Sequence, residues 1–166
     1  MDKDTNPSFF VDHTKLQHGL YKSKVDWVGC PSIAGGMNPI VTYDLRFKTP
    51  YREKAMSVKS MHAIEHMMAV ATREVPFIAK VLYFGMMGCS TGCYMMLDRD
   101  CSILDVKMFL EVCIQKCLNM ESIPAQSKRE CGNYTLMDLD EARKDLESYL
   151  NVLENLTPEQ MEYQYL

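Results

Sequence analysis

Apolar residues recur along this chain with two different periods. Between residues 57 and 74, Ile64, Met67, Met68 and Val70 fall at helical spacing. Ser57 stands where an N-cap belongs and Pro76 where the helix must stop, so the pattern predicts an amphipathic helix from about Ser57 to Glu74. A second helix is expected from the capping-box-like Ser102-Ile103-Leu104-Asp105 to about Asn119. A third is expected from Asp138 to Leu156, with Leu139, Ala142, Leu146, Leu150 and Leu153 inward and Glu141, Arg143, Lys144 and Glu147 outward. The other stretches are β-rich. Ile40 to Phe47, bounded by Pro39 and Pro50, reads as a strand, as do Phe77 to Phe84 and Cys93 to Leu97. The short apolar run Phe9-Phe10-Val11 is expected as a further strand, Cys30 to Gly36 as a loop, and Pro158 onward as an exposed tail. No repeat or internal boundary interrupts residues 1–166. The fold class predicted is α+β, a single domain in which helices cover one face of a largely antiparallel sheet.

Composition narrows the function classes. The 166 residues carry a net charge of −4 and no basic run, which argues against nucleic acid and anionic membranes as partners. No apolar run approaches the ~20 residues of a membrane span. Met1-Asp2-Lys3-Asp4-Thr5-Asn6 lacks the apolar core of a signal peptide, so a cytoplasmic protein is expected. The seven cysteines then read as reduced thiols. Cys113 and Cys117, four apart in an apolar helix, and Cys93 read as packing.

Chemistry concentrates in His62-Ala63-Ile64-Glu65-His66. On a helix the two histidines lie one turn apart on one face, and Glu65 shares that face. Two imidazoles at this spacing can reach one divalent ion, and the carboxylate is close enough to move protons there. The order H-x-x-E-H is that of the inverzincins. Two histidines cannot complete a site that takes three protein ligands. Cys131, in a glycine-bearing turn, can supply the third, but so can Cys89 or His13. Arg46, in its strand, reads as a solvent-facing cation or an anion binder. Cys89 sits between glycines, where the backbone can bend and approach a ligand.

Five segments in one order carry a resemblance. They are Phe10-Val11-Asp12-His13-Thr14, Tyr43-Asp44-Leu45-Arg46-Phe47, His62-Ala63-Ile64-Glu65-His66, Met87-Gly88-Cys89-Ser90-Thr91-Gly92 and Glu130-Cys131-Gly132-Asn133-Tyr134. Together they make the chain resemble the S-ribosylhomocysteine lyases, the LuxS family of autoinducer synthases. The resemblance implies that His62, His66 and Cys131 hold one divalent metal per subunit, natively Fe(II), with Zn(II) or Co(II) as substitutes. It implies Glu65 as a general acid/base and Cys89 as the catalytic thiol. Ser8, His13 and Arg46 would line the substrate pocket, and a homodimer would share its sites across the interface. The implied reaction moves the carbonyl of S-ribosylhomocysteine along the sugar and expels the thioether. The products are L-homocysteine and 4,5-dihydroxypentane-2,3-dione, the precursor of autoinducer-2 in quorum sensing.

One departure stands out. Tyr83-Phe84-Gly85-Met86-Met87 stands where the family usually reads closer to Asp-Ile-Ser-Pro-Met, and Tyr83 replaces an acid expected near the homocysteine end of the substrate. Ala63-Ile64 for Thr-Leu is a milder change. Two other readings compete. A small inverzincin-type metallopeptidase would leave the Cys89 stretch without a purpose, and a catalytically silent metal-stabilised binding module would need a fourth protein ligand.

Overall fold

The helical periods produce helices where the sequence places them. The computed structural model describes residues 7–29 and 37–166, so the loop expected from Cys30 to Gly36 lies outside the described residues. Helix α1 runs Val58–Glu74, capped by the Ser57 side chain, which accepts from the Ser60 N–H. It buries Ala63, Ile64, Met67, Met68 and Ala71 and leaves Val70 half-buried. Helix α2 runs Ile103–Leu118, with Ser102 accepting from the Asp105 N–H. Helix α3 runs Leu139–Glu154, with Asp138 accepting from the Glu141 N–H. Each cap satisfies one of the N–H groups that a helix start leaves without a partner. Among the described residues no helix is long and apolar enough to cross a membrane.

Four strands form one antiparallel sheet, in the order β1 (Gly19–Gly29), β2 (Met37–Arg46), β4 (Gly92–Leu97), β3 (Val81–Met86). Side chains alternate across a strand. Val41, Tyr43 and Leu45 of β2, with Cys93, Met95 and Leu97 of β4, join the core shared with the three helices. Phe47 continues that face and stacks on Tyr149 of α3 at 4.0 Å. The helices thus cover one face of the sheet, as the α+β reading expects. The opposite face, called outer below, presents Thr42, Asp44 and Arg46, paired with Met96, Tyr94 and Gly92 of β4.

The differences from the sequence reading have physical causes. Strand β1 carries Lys22, Lys24 and Asp26, and its burial is irregular beyond a register shift between Lys22 and Lys24. It is an edge strand, and charges there are compatible with pairing on one side. Strand β2 starts at Met37 and runs through Pro39. Pairing with β4 begins only at Val41, so Pro39 has a neighbour on one side alone, where a missing N–H is tolerated. The expected strand at Phe9-Phe10-Val11 is instead a 3-10 turn, Pro7–Phe10, followed by a single bridge from Val11 to Tyr165. Strand β3 begins at Val81, later than expected, because Phe77 is used to stack on Phe109 of α2 at 4.2 Å.

The C-terminal segment is largely exposed, as expected, but it is docked rather than loose. After the 3-10 turn Pro158–Gln160, which buries Gln160, Tyr163 stacks on Tyr21 at 4.7 Å. The Leu166 N–H donates to the Phe10 carbonyl at 2.8 Å, and the Asp12 N–H to that of Gln164 at 2.8 Å. Residues 157–166 therefore bind the N-terminal segment on the outer face.

Gly19 makes this docking possible, since a Cβ there would stand 2.2 Å from the Gln160 carbonyl oxygen. Backbone on both sides cannot yield as a flexible side chain can. Gly19→Ala is expected to lower stability by about 1–3 kcal/mol, the usual cost of overpacking. Urea unfolding measures it, and an unchanged midpoint would show that the Pro158 turn is not held against β1.

Candidate active site

Because α1 spends one face on the core, His62, Glu65 and His66 are left half-buried on the other. The imidazole centroids are 4.9 Å apart and nearly perpendicular. His62 Nδ1 lies 3.0 Å from the Leu136 carbonyl oxygen, and His66 Nδ1 lies 2.9 Å from that of Pro124. A carbonyl oxygen only accepts, so each Nδ1 bears the proton and each Nε2 keeps its lone pair free. Cys131 Sγ lies 3.4 Å from His62 Nε2, and ligand atoms of all three residues lie within 4.8 Å of one another. Tetrahedral bonds of ~2.1 Å to nitrogen and ~2.3 Å to sulfur put such atoms roughly 3.5 Å apart, so the triad fits a divalent ion with one position left over. Cys131 is held by its own turn: its N–H donates to the Ser127 carbonyl at 3.0 Å, and the Asn133 N–H points to its sulfur at 3.4 Å.

Glu65 makes no hydrogen bond or ion pair among the described residues, and its charge is felt at the buried Cys93 thiol. Burial pushes the Cys93 thiol up, and the same thiol is in electrostatic reach of Cys89, Asp44 and Arg46. Cys93 itself packs 3.2 Å from the Met86 sulfur, in keeping with a structural thiol.

Cys89 is carried by the β3–β4 turn. The Ser90 N–H donates to the Met87 carbonyl at 3.0 Å and the Met87 N–H to that of Gly92 at 2.9 Å. The left-handed residue is Ser90, at φ 60°, rather than either glycine. Gly92 serves another end, because a Cβ there would meet the Leu45 carbonyl oxygen at 2.6 Å. The turn abuts α1: the Met56 N–H, next to the Ser57 cap, donates to the Ser90 carbonyl at 2.9 Å. Cys89 is exposed, with Sγ 3.1 Å from Thr91 Oγ1 and 3.6 Å from Arg46 Nη1. Partial burial pushes its thiol up, but hydrogen bonds from Thr91 and the Arg46 guanidinium outweigh this, and the net pKa is lowered. By contrast burial pushes Cys113 and Cys117 up to about 12.

Arg46 is not a solvent-facing cation. It is buried, with Nη2 2.6 Å from Asp44 Oδ2 and Nη1 2.7 Å from Thr91 Oγ1. His13 is in electrostatic reach of the same aspartate, and its Nδ1 bonds to the Val11 carbonyl at 2.9 Å. Ser8 hydrogen-bonds to Tyr94 and lines an outer-face cavity of about 320 Å³ with Thr42, Tyr83 and Tyr94. Tyr83 lies across Gly85, where a Cβ would meet its hydroxyl at 2.0 Å. Of the residues picked from the sequence, the fold joins His62, His66 and Cys131 in one cluster and Arg46 with Cys89 in another. Ser8 and His13 are on the side of the sheet opposite α1. Three participants were not foreseen: Asp44, Thr91, and Tyr163, whose hydroxyl donates to Asp44 Oδ2 at 2.7 Å. The i, i+2 spacing of Asp44 and Arg46 on one strand was the available signal for the first.

A family model described as S-ribosylhomocysteinase (LuxS) matches residues 7–160. The chain belongs to that family. It is 35% identical over 162 residues to an S-ribosylhomocysteine lyase of Phocaeicola vulgatus, which covers 96% of each chain. It is 37% identical over 157 residues to the enzyme of that name from Finegoldia magna, and 38% over 159 residues to that of Desulfotalea psychrophila; each match covers 94% of this chain and 96% of the relative. The family match takes in Ser8, His13, Arg46, the H-x-x-E-H helix, Cys89 and Cys131, and ends before Tyr163.

A ligand that binds only the folded chain stabilises it by mass action, about 2.7 kcal/mol at a hundredfold excess over Kd. Divalent zinc or iron is therefore expected to raise the melting temperature. Cys131→Ala should lose that rise and retain little metal on elemental analysis. Full metal content in Cys131→Ala would remove Cys131 from the ligand set.

Proposed function

We propose that this chain is an S-ribosylhomocysteine lyase, releasing L-homocysteine and 4,5-dihydroxypentane-2,3-dione. The observation that carries the reading is the pairing, in a chain of this family, of a three-residue cluster, His62 and His66 of α1 with Cys131 of the α2–α3 loop, with an exposed thiol of lowered pKa on the turn that abuts α1. His62, His66 and Cys131 would hold the metal. Two imidazoles with a thiolate suit Fe(II) and Zn(II), and Co(II) as a substitute. When bound, the ion supplies Lewis-acid stabilisation to oxyanions of the sugar.

The protein's own groups move the protons. Shifting the carbonyl from C1 to C3 takes a proton from one carbon and returns it to its neighbour twice over. Each transfer needs a base that becomes an acid. Cys89, held toward its thiolate by Arg46 and Thr91, and Glu65, which has no hydrogen-bond or ion-pair partner among the described residues, fit these roles. With the carbonyl at C3, the C4 proton is acidic. Its removal sends the electron pair into the C4–C5 bond, breaks C5–S, and expels homocysteine as its thiolate. Arg46 also stands as an anion or hydroxyl binder at the thiol.

Ser8 and His13 are proposed to line the substrate pocket from a second copy. Their position across the sheet from the triad supports a homodimer in which two chains complete each site. The chain acts as one lyase domain, in the cytoplasm, and its product serves as autoinducer-2 precursor.

The decisive experiment incubates metal-loaded protein with S-ribosylhomocysteine and assays free thiol. Cys89→Ala and Glu65→Gln should each keep the metal and lose at least ~10²–10⁴-fold in rate, the contribution typical of a general acid/base. A peptidase would instead show a silent Cys89→Ala and a fatal Glu65→Gln.

Tyr83 gives a further expectation. If the homocysteine end lies near it, the missing acid weakens ground-state binding. Tyr83→Asp should then lower KM with little change in kcat. A fall in kcat instead would place Tyr83 in the support of Gly85 and the thiol turn.

A further inference from the structure

We propose that Tyr163 is a positioning residue for the Cys89 thiol, acting through Asp44 and Arg46 from a C-terminal segment that the family match does not include. The proposal rests on the reading of Cys89 as the working thiol. The contacts form a chain. Ser23 hydrogen-bonds to the Tyr163 hydroxyl, which donates to Asp44 Oδ2 at 2.7 Å. The same oxygen accepts from Arg46 Nη2 at 2.6 Å, and Arg46 Nη1 reaches Thr91 Oγ1 at 2.7 Å and Cys89 Sγ at 3.6 Å.

Two orphaned atoms show what the tyrosine does. Asp44 Oδ1 and Arg46 Nε are buried without hydrogen-bond partners. The pair therefore meets through one oxygen and one nitrogen, although arginine and carboxylate favour a two-pronged contact. A two-pronged contact through Nε and Nη2 would satisfy both orphans and commit the guanidinium to the aspartate. The Tyr163 hydroxyl shares the charge on Oδ2 and holds the carboxylate in its one-oxygen pose, which leaves Nη1 for Thr91 and Cys89. The segment bearing Tyr163 is itself fixed by the Tyr21 stack, the Val11–Tyr165 bridge and the Leu166 to Phe10 bond. Of the titratable groups, Arg46 from β2 touches Cys89, Cys93 and Tyr94 from β4 are within electrostatic reach of it, and Asp44 and His13 lie behind Arg46.

Tyr163→Phe keeps the ring on Tyr21 and removes only the hydroxyl. The test measures carboxamidomethylation of Cys89 by iodoacetamide against pH, read on its own peptide by mass spectrometry so that Cys131 does not interfere. Arg46 turned toward Asp44 supports the thiolate less, so the midpoint should rise by roughly half to one pH unit. Below the midpoint the alkylation rate should fall about three- to tenfold. With substrate, kcat should fall while KM holds. Tyr165→Phe, on the same segment, should change neither. If Tyr163→Phe does not fold, Ser23→Ala removes the hydroxyl behind it and should move the midpoint the same way. A folded variant with an unchanged midpoint and unchanged kcat overturns the proposal. A wild-type protein that releases no homocysteine would defeat the lyase reading, yet the alkylation midpoints would still decide the role of Tyr163.

Discussion

A buried charge pair governs the outer face of the sheet. Asp44 and Arg46 are 1% and 2% exposed, on one strand and two residues apart. Burial pushes the Asp44 carboxyl up and works against the charge of Arg46, while each partner restores the other. Removing one member of such a pair leaves an uncompensated charge, at a cost of about 3–5 kcal/mol. An apolar pair would fill the same volume at less risk, so stability alone does not account for it. What an apolar pair could not do is carry a guanidinium through the sheet's margin to a thiol. The neighbouring elements conform to this: Gly92 opposite Arg46 lets β4 approach closely, and Thr91 turns its hydroxyl to both the guanidinium and the sulfur.

The inner face follows a simpler rule. Tyr43, Leu45, Met95 and Leu97 meet the buried stripes of three helices. Alpha helix α1 gives one stripe to that core and keeps the other for His62, Glu65 and His66. Rigidity of the core is thus passed directly to the two histidines, which sit on a helix and not on a loop. The Met56 to Ser90 backbone bond then ties the thiol turn to the helix start, so the two halves of the chemistry share one frame.

Legibility from the sequence tracked the locality of the signal. The three helices were readable because cap residues and periodic apolar residues lie within one segment; Ser57 and Ser102 cap as expected, and Asp138, where the third helix was expected to begin, is its cap. The pairing of His62 with His66 was readable for the same reason. Strand β1 was not, because its Lys22, Lys24 and Asp26 obey the needs of an edge and not those of a core. The choice of Cys131 over Cys89 or His13 depends on a fold that brings residue 131 to residue 62. Composition cannot supply that, and the family resemblance did. The docking of residues 157–166 was hidden too, since it depends on the absence of a side chain at Gly19, far away in sequence.

The loop between α2 and α3 carries Cys131, and it also carries the Pro124 and Leu136 carbonyls that aim His66 and His62. The segment that carries the proposed third ligand therefore orients the two histidines, and the Asp138 N–H bonds at 3.3 Å to the Lys59 carbonyl where the loop rejoins α1. Loop order and metal affinity are consequently one thermodynamic quantity seen from two sides. Whatever loosens the loop must weaken the ion's hold by the same free energy with which the ion tightens the loop. With an ion held as proposed, proteolysis between residues 120 and 137 would report metal binding, and nicking the loop would weaken the ion's hold without touching a histidine.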